Sequence, residues 1–187
     1  LKKFDEAKKY YEKVLEIDSK HTNANYNLGV IHYELKDLKK AKSYLKKTTE
    51  LQKNYGIAFF SLGNVHADSK EYNEAMSCYQ KAIEINPRIV GAHNNLGLIY
   101  RTLNDLENAV NSYQSAIKLQ PKHGGAYHNL ALAYKELGKF DKSIKSHEKA
   151  IEYEPENLAH YYYLSELKKN ILNSDLKKKN RKILINQ

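Results

Sequence analysis

The sequence predicts an all-α fold, a stack of antiparallel helix pairs. Three observations carry this reading: a fixed period, helical spacing of apolar residues within it, and few helix breakers. Leu28-Gly29 returns as Leu62-Gly63, Leu96-Gly97, Leu130-Ala131 and Leu164-Ser165, each 34 residues after the last. A period of that length marks a repeat architecture. Within one period, Leu96, Ile99, Tyr100 and Leu103 follow the i, i+3, i+4, i+7 rule of an amphipathic helix. Only three prolines and eight glycines occur in 187 residues, which disfavours a many-turned β fold.

Each period reads as a helix A, a short turn and a helix B. In the third, the spacing predicts helix A over 90–102 and helix B over 105–118. Asn104-Asp105 fills the turn, with Asp105 placed to cap helix B. Pro87, Pro121 and Pro155 share one register, just past helix B, where a helix cannot continue. A second series of small residues, Ala7, Ala41, Ala75, Ala109 and Ser143, keeps the same period, as do Ala82, Ala116 and Ala150. Large residues recur too: Phe4, Leu38, Tyr72, Leu106 and Phe140, and Leu45, Tyr79, Tyr113 and His147. Glycine inside a helix costs about 1 kcal/mol against alanine. Gly97 and Ala109 are expected where helices A and B cross, so that close backbone approach offsets this loss. One helix pair cannot bury its apolar face; stacked pairs share a core.

The stretch NLGLIYRTLNDLENAVNSYQSAIKLQP, residues 95–121, resembles the tetratricopeptide repeat, with Tyr113 in place of a phenylalanine. The resemblance covers 1–167. It comprises a leading helix B (1–19), full repeats at 22–55, 56–89, 90–123 and 124–157, and a fifth helix A from 158. His32 and His66 depart from the pattern's tyrosine, and Ser19 and Lys53 from its proline. Residues 168–187 are expected to form a basic capping helix or tail. A lone leading helix B suggests a fragment whose uncapped end invites self-association.

The resemblance implies a right-handed superhelical α-solenoid whose helices A line a concave groove. Asn27, Ser61, Asn95, Asn129 and Tyr163 would face that groove, as would Tyr26, Phe60, Asn94, His128 and Tyr162. One turn later come Val30, Asn64, Leu98, Leu132 and Glu166. An amide is both donor and acceptor, so a row of asparagines can pair with the backbone of an extended peptide whatever its side chains. This is similar to the asparagine ladder of O-linked N-acetylglucosamine transferases, whose motif also reads N-L-G or N-L-A. The same amides could instead stay solvated or bond between adjacent helices. The candidate peptide-groove residues are Asn27, Asn64, Asn94, Asn95, His128, Asn129, Tyr162 and Tyr163. Tyr161 falls in register with Phe59 and Tyr127, at core positions.

A second mode known among such repeats clamps a terminal carboxylate with cations. Asn64 and Asn95 match its asparagines, but Phe60, Gly125 and Asn129 stand where two lysines and an arginine would be needed. The charged partners a carboxylate requires are missing from those positions.

Net charge is +9, but it is uneven: +5 over 1–53, −1 over 54–157 and +6 over 168–187. A nucleic-acid surface running along the fold would not be distributed this way. The basic tail reads as a solvated final helix rather than an RNA or anionic-membrane site. Cys78 is the single cysteine, so no intrachain disulfide forms. With no N-glycosylation sequon, that fits a reducing, cytoplasmic setting. The eight histidines lack carboxylates at ligand spacing, so no metal or other cofactor is implied. Gly124-Gly125 is an inter-repeat turn, not a phosphate loop, and no Ser or Cys has a positioned base. The expected function is a non-catalytic protein–protein interaction scaffold that binds an extended peptide. The alternative is the substrate-recognition region of a larger enzyme, such as an O-GlcNAc-transferase-like glycosyltransferase.

Overall fold

A computed structural model describes residues 2–185, with side chains placed for 5–174. Ten helices and no strand occur among the described residues: α1 (Lys2–Ile17), α2 (Thr22–Glu34), α3 (Leu38–Leu51), α4 (Gly56–Asp68), α5 (Tyr72–Ile85), α6 (Val90–Thr102), α7 (Leu106–Leu119), α8 (Gly124–Glu136), α9 (Phe140–Tyr153) and α10 (Leu158–Ile185). The chain divides into two units, Leu1–Ile99 and Tyr100–Gln187.

The turn between helices A and B is the same each time. Lys36, Lys70 and Asn104 have φ of 61°, 60° and 61°, and Gly138 has 71°. At the first turn, the N–H of Asp37 donates to the His32 carbonyl and that of Lys36 to Tyr33. This double closure satisfies the last carbonyls of helix A through one left-handed residue. Asp37 and Asp105 then cap α3 and α7, accepting from the N–H groups of Lys40 and Asn108.

In the first unit, the glycines make room for large side chains. A Cβ on Gly29 would lie 2.6 Å from Leu45 Cγ, and one on Gly63 would lie 2.6 Å from Tyr79 Cε1. The partner of the glycine is thus the large residue of helix B, four positions beyond the small one at Ala41 or Ala75. In the second unit, Ser143 shows what the small register does. Its Oγ donates to the Ala131 carbonyl at 2.7 Å, which only a short side chain pressed against the helix-A backbone can reach. Ala41, Leu45, Leu62 and Val65 form a core in the first unit; Ala109, Val110, Tyr113, Leu130, Ala133 and Tyr134 form one in the second.

α10 does not turn. Leu172 holds the register of Lys36, Lys70, Asn104 and Gly138, yet the helix continues through it to Ile185. Folding back would place Lys177 in the register of Ala41 and Arg181 in that of Leu45. Such a helix B would put charged residues at the two positions that elsewhere pack closely against helix A, so little offsets the turn. Tyr161 is therefore not a core residue. Phe59 and Tyr127 are half-buried, and Tyr127 packs on Tyr153 of α9 at 5.6 Å. Tyr161 is 44% exposed, since no described helix B follows α10 to cover it.

Candidate peptide-binding site

The first unit gathers three polar side chains from three helices. Asn64 Oδ1 on α4 accepts from the Tyr79 hydroxyl of α5 at 2.8 Å and from Asn95 Nδ2 of α6 at 2.9 Å. Asn94 Nδ2 donates to Asn95 Oδ1 at 3.2 Å. Asn95 therefore links successive repeats. An amide has two donors and two acceptor lone pairs, so one bond at each end does not exhaust it. Asn64 and Asn95 are half-buried and line an open pocket of 170 Å³, together with Tyr33, Ala67, Asp68, Tyr79, Leu98 and Ile99. They neither point outward nor lie sealed between helices.

Burial keeps the Tyr79 hydroxyl well above its ordinary pKa, although its contact with Asn95 pulls the other way. It stays a protonated donor. Tyr33 is pushed up to about 12, by burial first and then by its hydrogen bond to the Asp68 carboxylate. Asn27 behaves differently: its Nδ2 donates to the Asn23 carbonyl of its own helix at 2.8 Å. Asn64 and Asn95 thus form an inter-repeat pair, while Asn27 bonds within its own helix.

The second unit builds a histidine cluster. His128 of α8 and His160 of α10 approach with their Nδ1 atoms 3.3 Å apart. The His147 ring of α9 lies edge-on to His128, centroids 5.3 Å apart. Tyr163 meets His128 edge-on at 5.0 Å. Glu154 anchors the group. Its Oε2 lies 3.1 Å from His160 Nε2, and its Oε1 accepts from the Gly125 N–H at 2.9 Å. A Cβ on Gly124 would lie 2.5 Å from the Glu154 carboxyl carbon, so the Gly-Gly pair seats this carboxylate. Burial would raise the Glu154 pKa, but hydrogen bonds from His160, Gly125 and Asn157 hold it below its usual value. His128 and His147 are lowered to about 4. Burial is the main cause, followed by the neighbouring histidines. Both ring nitrogens of the fully buried His147 lack a hydrogen-bond partner. Asn129 is half-buried and Tyr162 is 62% exposed. Among the described residues, no group of three or more His, Cys, Asp or Glu is arranged to hold a metal ion.

Sequence reasoning places Asn64, Asn95, Asn94 and His128 near these clusters but misses Tyr33, Asp68, Glu154, His147 and His160 as their partners. None of the five repeats as its own residue type one period away; His147 holds a recurring register, the large-residue one of Tyr79 and Tyr113, which marks packing and not a site partner.

Helix pairs joined by one turn geometry at a fixed period define a helical-repeat protein. The chain belongs to the tetratricopeptide repeat family. Models described as TPR repeat match 63–103 and 97–138, and models described as tetratricopeptide repeat match 1–63 and 125–157. Among solved structures, it is similar to MamA, at 29% identity and TM-score 0.77, over 83% of this chain and 91% of that one. MamA of Desulfovibrio magneticus RS-1 matches at 21% identity and TM-score 0.75, over 84% and 88% of the two chains. YrrB, described as a TPR protein with an unusual peptide-binding site, matches at 23% identity and TM-score 0.75, over 87% and 84%. The last two likenesses speak for the fold alone. No curated protein matches this chain. No described helix is long and apolar enough to cross a membrane.

Proposed function

We propose that this chain is a non-catalytic protein–protein interaction scaffold that binds an extended segment of a partner along its helix-A faces. The observation that carries the reading is the Asn64–Asn95 pair at the wall of an open pocket, held by Tyr79. Amides fixed in this way present donors and acceptors at set positions, which suits the alternating N–H and C=O groups of an extended chain. Asn27, Asn64, Asn94 and Asn95 would contact the segment in the first unit. His128, Asn129, Tyr162 and Tyr163 would do so in the second. Tetratricopeptide repeats are typically binding scaffolds rather than catalysts, which agrees with this assignment.

Selection from a displayed random-peptide library tests it. Wild-type protein should enrich binders, and Asn95→Ala with Asn129→Ala should weaken them. Binders that ignore both substitutions would overturn the groove assignment. The N-L-G and N-L-A motifs at 95–97 and 129–131 favour one second reading, the substrate-recognition region of a larger glycosyltransferase-like enzyme. A catalytic domain encoded beyond Gln187 would decide for it.

A further inference from the structure

Resting on that reading, we propose that the pocket at Tyr33, Asp68, Tyr79 and the Asn64–Asn95 pair takes one cationic side chain, lysine or arginine, from the bound segment. Size comes first. At 170 Å³ the pocket has room for about five or six waters. That suits one side chain and falls short of the roughly 300 Å³ at which small-molecule sites begin.

Chemistry narrows the occupant. Asp68 is the one formally charged residue in the lining, and it is exposed at the rim. The Tyr33 hydroxyl donates to its carboxylate, which fixes the acceptor's position. Ala67, Leu98 and Ile99 supply an aliphatic wall, with Leu98 40% exposed. A lysine or arginine stem packs on such a wall while its head seeks acceptors. The Tyr33 ring offers a face to a cation, whereas the buried Tyr79 contributes through its hydroxyl, which holds Asn64. One face of Tyr33 already shows this preference: Lys36 Nζ lies 5.3 Å from the ring centroid, outside the pocket lining. Lys36 opposes a second cation at longer range, so the attraction is local and screened by salt. A glutamate or a terminal carboxylate would meet Asp68 directly and be repelled. The pocket thus prefers the opposite charge to a carboxylate clamp.

Acetylated, amidated eleven-residue Ser/Ala peptides test this, each with one central arginine, lysine, citrulline, norleucine or glutamate. They are titrated into the intact chain while the side-chain amide NMR signals of Asn64 and Asn95 are followed. The arginine and lysine peptides should shift those signals and bind about three- to tenfold more tightly than citrulline or norleucine. Glutamate should bind least. Asp68→Asn should erase the advantage without moving the melting temperature. Equal binding of arginine, citrulline and norleucine overturns the cation pocket, as does a preference that survives Asp68→Asn. If all five bind alike and Asn95→Ala weakens all alike, main-chain recognition stands and only the cation pocket falls. If none shifts the Asn64 and Asn95 signals at millimolar concentration, both readings fall.

Discussion

Gly63 and Tyr79 compete for one volume. A Cβ on Gly63 would lie 2.6 Å and 2.7 Å from two carbons of the Tyr79 ring, and Tyr79 is itself 1% exposed. The ring cannot retreat without dragging its hydroxyl from Asn64. A glycine in mid-helix is therefore the condition for placing a tyrosine whose hydroxyl reaches Asn64.

Gly63→Ala should accordingly destabilise the protein, although alanine is the better helix former by about 1 kcal/mol. Overpacking of this kind costs roughly 1–3 kcal/mol. Urea unfolding followed by circular dichroism measures it. A stabilised Gly63→Ala would show that the ring has somewhere to go.

Asn64→Leu should cost stability as well as binding. It removes the acceptor shared by Tyr79 and Asn95 and takes the acceptor from the hydroxyl of the buried Tyr79, at about 1–3 kcal/mol. Asn27→Ala, which loses only a bond to its own helix, should be near neutral. Equal melting temperatures for the two variants would contradict the inter-repeat role of the pair.

Stability should fall with acidity above the usual carboxylate range. His128 and His147 are neutral in the native state down to about 4, whereas in the unfolded chain they titrate near 6.5. Between these values the unfolded chain binds more protons. Stability is therefore full above about 6.5 and declines as pH drops toward 4, by at most about 1.4 kcal/mol per pH unit per histidine. Glu154, held low, adds a loss of the same sign further down. His147→Leu should flatten the slope between pH 6.5 and 4.5. A wild-type slope already flat there would rule the effect out.

Association should depend on α1. Tyr10 is 70% exposed and Ile17 90% exposed on that helix, and exposed apolar side chains favour contact between copies. Tyr10→Ser with Ile17→Ser should lower any concentration-dependent rise in sedimentation coefficient. No change in that rise would place self-association elsewhere.

What could be read from residues alone follows a local rule. Helix A over 90–102 coincides with Val90–Thr102, and helix B over 105–118 lies within a residue of Leu106–Leu119 at each end. Asp105 caps where its type and place require. Periodicity, capping and glycine spacing act over one or two turns, so one sequence suffices to read them. The candidate site was only half legible. Asn64 and Asn95 could be assigned to a groove register, but not to each other.

The amino-acid order by itself determined the repeat, its period, the helix limits and the register of large and small residues, because each is set by backbone geometry and neighbours along the chain. Tertiary structure alone decided that Asn95 meets Asn64, that Tyr33 holds Asp68, and that His128, His147 and His160 share one cluster. It also decided that α10 runs straight past Leu172. These depend on which side chains meet in space, and a hydrogen bond or a buried face has a free energy only once its partner is in place.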